Sequence, residues 1–188
     1  IRSFDPPVGD PSLTLCCLIG LQTKRIDLIR AGKKAEDRAM KLSAREDIEA
    51  PIDYVFDKVG DFALLERSGM RRGVEVVRKE AEGRTSWDLG FSFRGRPRKA
   101  LVTLEKVEAP NSLVASFSSG GLTGHTVVEL IALSRNRTRL SISVEFAPQS
   151  LSARLLVQSL RLAKMTITRR FKTRVADIAE DIEESYRG

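Results

Sequence analysis

The stretch QSLSARLLVQSLRLAKMTITRRFKTRVADIAEDIEESY, residues 149–186, decides how the rest of this chain is read. Within it Leu156, Leu160, Ala163, Ile167, Phe171, Val175, Ile178 and Ile182 recur at steps of three or four, which lines one face of a helix with apolar groups. Pro148 stands just before the stretch and Gly188 just after, where helix start and stop signals are expected. As a single helix it would run roughly 55 Å at 1.5 Å per residue, longer than a small domain needs, so we expect one end to fray or project. An apolar stripe of that length needs a covering surface.

That surface is written upstream. From Gly73 the apolar period changes to two, and six segments alternate: 74–79, 85–93, 98–107, 113–118, 125–133 and 138–146. The clearest sets Thr85, Trp87, Leu89, Phe91 and Phe93 on one side against Ser86, Asp88, Gly90 and Ser92 on the other. Links such as Glu82-Gly83, Gly95-Arg96-Pro97 and Arg135-Asn136 are too short for crossover helices, so the strands are antiparallel neighbours. Ahead of them Leu42, Ala44, Glu46 and Ile48 alternate with polar residues as a first strand. Two short helices follow it, one opened by Pro51 and reaching Asp57, the other capped by Asp61 and reaching Arg67. The expectation is an α+β domain in which a seven-stranded antiparallel sheet covers its apolar face with the long C-terminal helix.

Length and composition suit one such domain. The chain has 188 residues, 41% of them hydrophobic and 30% charged, and carries a net charge of +7. Its two cysteines, Cys16 and Cys17, are adjacent, which offers no disulfide framework and fits a reducing cytoplasm. The run 13–21 is too short to span a bilayer, and its upstream flank is not positively charged as a secretory signal requires. Met40 stands directly before the first strand. We therefore expect residues 1–39 to be an extension and residues 40–188 the working domain; the alternative is a short leader that touches membrane or a partner.

The ordered set resembles the SRPBCC superfamily, which takes in START domains, birch-pollen-allergen-like proteins, polyketide cyclase/dehydrase-like proteins and coenzyme Q-binding-like proteins. The residues that carry the resemblance are the first strand followed by Ala50-Pro51-Ile52-Asp53-Tyr54-Val55-Phe56, then Gly60-Asp61-Phe62, Thr138-Arg139-Leu140 and the terminal helix. The resemblance implies a helix-grip fold: a curved seven-stranded sheet wraps the long C-terminal helix, with two short helices after strand 1 and a largely apolar cavity between sheet and helix. It further implies a lipid, quinone or polyketide-like ligand. The residues expected to line that cavity are Phe62, Trp87, Leu89, Phe91, Phe93, Val102, Phe117, Ile142, Val144, Leu160 and Ile167. Ordinary core is the competing reading of the same aromatics.

Catalytic signals are sparse. His125 is the sole histidine, and Asp88 and Glu129 are the carboxylates that could stand near it; we read all three as candidate polar anchors and assign no catalytic residue. Residues 40–188 hold no cysteine, no histidine-carboxylate metal signature and no glycine-rich phosphate loop, so no metal or cofactor is implied. The expectation is binding or transport of a hydrophobic or amphipathic small molecule; the first alternative is a cyclase- or dehydratase-like enzyme on the same fold.

A second alternative comes from charge. Arg154, Arg161, Lys164, Arg169, Arg170, Lys172 and Arg174 meet no acidic residue before Asp177, the reverse of what a helix dipole prefers. Such a face suits an anionic partner, either an acidic membrane surface touched peripherally or an acidic protein. Nucleic acid is disfavoured, because no aromatics interleave with the basic residues to stack on bases. Pairing with carboxylates elsewhere is the plainer explanation, and no feature of the sequence bears on oligomeric state.

Overall fold

The sheet has seven antiparallel strands and is open: the last six in sequence form a meander, and the first strand extends it at the edge beside the seventh. The computed structural model describes residues 39–81, 83–93 and 95–188; Cys16, Cys17 and the run 13–21 lie outside them. In chain order the elements are β1 (Met40–Ile48), α1 (Ile52–Val59), α2 (Phe62–Arg71), β2 (Glu75–Ala81), β3 (Arg84–Phe93), β4 (Arg96–Glu108), β5 (Ser112–Ser119), β6 (Leu122–Ser134), β7 (Arg137–Pro148), α3 (Leu151–Leu162) and α4 (Lys164–Arg187). The strands lie in the order β1-β7-β6-β5-β4-β3-β2. Pairing in β4 and β5 slips between Leu104 and Lys106, a bulge of the kind that bends a sheet.

Local signals set the helix starts. Asp61 accepts the Leu64 N–H at 2.9 Å, and Ser150 accepts the Ala153 N–H at 3.2 Å. The terminal stretch is not one rod. It breaks at Ala163 (φ −95°, ψ 13°); α3 contacts β7 and the start of β1, and α4 runs on along β1. The apolar spacing runs through the break without Gly or Pro to mark it.

Helix α4 buries Val175, Ala179 and Ile182 against Ala44 and Ile48 of β1, Val55 of α1, Leu130 of β6 and Leu140 of β7. Its C-terminal end is then tied down. The Glu183 carboxylate accepts the Glu49 N–H at 2.8 Å, Arg187 reaches both Glu49 and Glu183, and the Tyr54 hydroxyl donates to the Ser185 carbonyl at 2.7 Å. Part of the acidic tail of this helix thus serves as its anchor. A second cluster, Met40, Leu42 and Val157, with Leu160, Ile167 and Phe146 against it, holds α3 and the start of α4.

Leu140 is fully buried at the centre of the first cluster. Leu140→Ala is expected to lower unfolding free energy by about 2–5 kcal/mol in urea titration. A pH effect comes from the β1/β7 edge, where Arg139 and Arg137 both reach Asp47. The hydrogen bond from Arg139 holds the Asp47 carboxyl below its usual range. A depressed carboxylate pKa adds stability above the unfolded-state value, and that stability is lost as pH falls through the folded-state value. Asp47→Asn should therefore be less stable than the parent at neutral pH, with the two converging as pH falls below the ordinary aspartate range. A constant offset in melting temperature across that range would contradict the assignment.

Candidate ligand cavity

Alternation along the strands sends every second side chain to the helix side, and over β2–β6 those side chains are not fully covered by α4. A cavity of about 720 Å3 lies there, between the inner face of the sheet, α2 and the second half of α4. Its floor is apolar: Trp87 and Leu89 from β3, Val102 and Leu104 from β4, Leu113 and Ala115 from β5, then Val128 and Ile142, with Thr126 as the polar exception. One wall comes from Phe62, Leu65, Glu66, Arg71 and Arg72 on and after α2, with Val74 and Val76 below them. The facing wall is Arg174, Asp177, Ile178, Asp181, Ile182 and Ser185 of α4, and Lys58 and Val59 close one end.

Trp87 is the fixed point of the floor. Its indole N–H donates to Glu66 at 2.6 Å, Phe62 stacks on it obliquely with centroids 5.1 Å apart, and the Arg78 guanidinium sits 6.0 Å above its ring. The Arg78 guanidinium also stands 3.8 Å from Glu66, so the one half-buried carboxylate of the α2 wall has a hydrogen-bond donor in Trp87 and an ion-pair partner in Arg78. Apolar and charged groups share the mouth. Leu64, Leu65 and Ile178 are 41%, 52% and 37% exposed beside Arg71, Arg72 and the Arg174–Asp177 pair.

Of the residues expected from sequence to line a cavity, Phe62, Trp87, Leu89, Val102 and Ile142 do so. Phe91, Phe93, Phe117 and Val144 occupy the same face by register but stand further along their strands, outside the lining. Phe117 instead lies over Gly124, where an added side chain would collide with its ring and with Phe146. Leu160 and Ile167, one on each side of the break at Ala163, pack on the Met40 and Leu42 cluster and not in the cavity lining. The three polar anchors are corrected: Asp88, His125 and Glu129 alternate with Trp87, Thr126 and Val128 and so point away from the cavity. Asp88 pairs there with Lys79 at 2.6 Å, and His125 and Glu129 are exposed. Among the lining residues that sequence reasoning missed are Leu104, Leu113, Ala115 and Val128 of the floor, Glu66, and the α4 wall from Arg174 to Ser185. Only the 3.6 period of α4 could have pointed to the last, since Arg174, Asp177, Ile178, Asp181, Ile182 and Ser185 share one side of it.

No protein-family model matches the sequence, and no curated protein matches it significantly. Solved structures share the architecture. The Zhui aromatase/cyclase from Streptomyces sp. R1128 superposes with a TM-score of 0.55 at 11% identity, covering 77% of this chain and 94% of that one. A norcoclaurine synthase point mutant from Thalictrum flavum, in complex with a transition-state analogue, gives 0.56 at 13% identity over 79% and 96%. Ara h 8.0201 gives 0.52 at 12% identity over 78% and 97%. These neighbours are SRPBCC/START-like proteins, and at such identities the likeness is one of fold. The chain has that helix-grip fold, with a seven-stranded antiparallel sheet and a long C-terminal helix.

Trp87→Phe keeps a ring in the floor but removes the donor to Glu66. It should cost about 1–3 kcal/mol in urea titration, and Trp87→Phe combined with Glu66→Leu should recover part of that loss.

Proposed function

We propose that the protein binds a hydrophobic or amphipathic small molecule, of the lipid, quinone or polyketide kind, in the cavity between sheet and helix, and acts as a carrier, chaperone or sensor. The observation that carries this reading is the cavity itself: about 720 Å3 with an almost wholly apolar floor, inside the range of drug-sized ligand sites. The rim of Arg71, Arg72, Arg174, Asp177 and Asp181 suits a ligand with a polar end that stays near water. Adjacent Cys16 and Cys17 favour a cytoplasmic setting.

A cyclase-like enzyme is the second reading. It is favoured by the aromatase/cyclase and the norcoclaurine synthase among the fold neighbours, and by the carboxylates of Glu66 and Asp181 in the walls. It ranks lower because neither His125 nor either tyrosine of the chain, Tyr54 or Tyr186, lines the cavity to serve as proton-transfer partner.

Native mass spectrometry of the purified chain should show a one-to-one adduct that solvent extraction releases as an apolar compound. Ala115→Phe, which grows into the floor, should reduce retention by about tenfold or more while the far-ultraviolet spectrum is kept. A bare-chain mass in every preparation, with no uptake of added lipid or quinone, would overturn the reading.

A further inference from the structure

Helix α3 has two apolar faces, and the sheet uses only one. Ala153 and Val157 are buried with Leu160 beside them, while Leu151, Leu155 and Leu162 are 76%, 69% and 92% exposed. At 100° per residue these three leucines fall within about 40° of one another, on the side opposite the buried face. Just past Ala163, Met165 is 89% exposed as well. Single exposed leucines are ordinary; three on one face of α3, followed by an exposed methionine in the first turn of α4, are a surface built for contact.

The charge around them says contact with what. Arg154, Lys164, Arg169, Arg170 and Lys172 flank or continue the stripe, and none has a carboxylate in ion-pair range among the described residues. No acidic residue occurs between Leu151 and Asp177. A second copy is a poor occupant, since a two-fold contact through this stripe would set these cations against themselves. Nucleic acid would find leucine where stacking needs aromatics. Among the described residues no helix is long and apolar enough to cross a membrane, so the fitting geometry is one that lies in the interface.

We propose that α3 and the first turns of α4 form a docking face for an anionic lipid surface: Leu151, Leu155, Leu162 and Met165 enter the acyl boundary, and the flanking Arg and Lys side chains meet acidic headgroups. The combination of inserted apolar groups and a basic collar is what gives a peripheral helix useful affinity, since either alone is weak. This face is built on different residues from the cavity, so the two proposals stand or fall separately.

The test uses the full chain with extruded vesicles of phosphatidylcholine alone or with about 30 mol% phosphatidylglycerol, read by flotation. The chain should partition to the acidic vesicles at least about tenfold better than to the neutral ones, less so in high salt. Leu155→Ser with Leu162→Ser should reduce that partition about tenfold with an unchanged melting temperature, because both side chains are exposed. Lys164→Glu with Arg169→Glu should remove the preference for acidic lipid. Equal partition of parent and leucine variant, or equal partition to both vesicle types, overturns the proposal. So does a leucine variant with a shifted melting temperature and no vesicle binding by the parent, which would mean that the stripe is covered by protein.

Discussion

The structure depends on where α4 is fastened. Its C-terminal half is buried through Val175, Ala179 and Ile182 on β1, β6 and β7, and its last turns are tied by Glu183, Ser185 and Arg187 to Glu49 and Tyr54. Burying three such side chains is worth a few kcal/mol by area, and the polar ties fix direction more than they add stability. The consequence is geometric. A helix fixed along the β1 edge cannot also cover β2–β5, so their inward side chains face a space that α2 and α4 border and that no described element fills.

That constraint explains the division of labour along the terminal stretch. The first half, α3, seats on Met40 and Leu42 and leaves its outer leucines in solvent; the second half, α4, supplies both the core contact and one cavity wall. The reversed charge order does not follow that division. Basic residues run from Arg154 in α3 to Arg174 in α4, and in the acidic run after them Glu183 takes both the Glu49 N–H and Arg187. Helix-dipole preferences of a few tenths of a kcal/mol are easily outweighed by such contacts.

The strand pattern made the sheet legible: Trp87, Leu89 and Val102 alternate with polar neighbours, and the side they share is the helix side. The same rule, applied fully, already excluded the polar anchors. If Trp87 and Leu89 point inward, Asp88 between them points out, and His125 and Glu129 follow from Thr126 and Val128. What the pattern could not give was distance along a strand. Phe91 and Phe117 have the right parity and stand beyond the lining, because only tertiary placement of α2 and α4 decides where the inner face is uncovered. The break at Ala163 was invisible for a related reason: one apolar period runs through it with no Gly or Pro as a local breaker. Glu66 was missed because its meaning comes from Trp87, 21 residues away.

The central claim is that α4 grips the sheet without filling it. Because Trp87 is the sole tryptophan and lies in the cavity floor, its emission reports occupancy directly. Titration with straight-chain carboxylates of rising length should shift that emission with an affinity that climbs about three- to fourfold per added methylene until the cavity is full, and then levels. An emission that ignores chain length, at concentrations below micelle formation, would mean that side chains pack solid beneath the helix and would contradict the account.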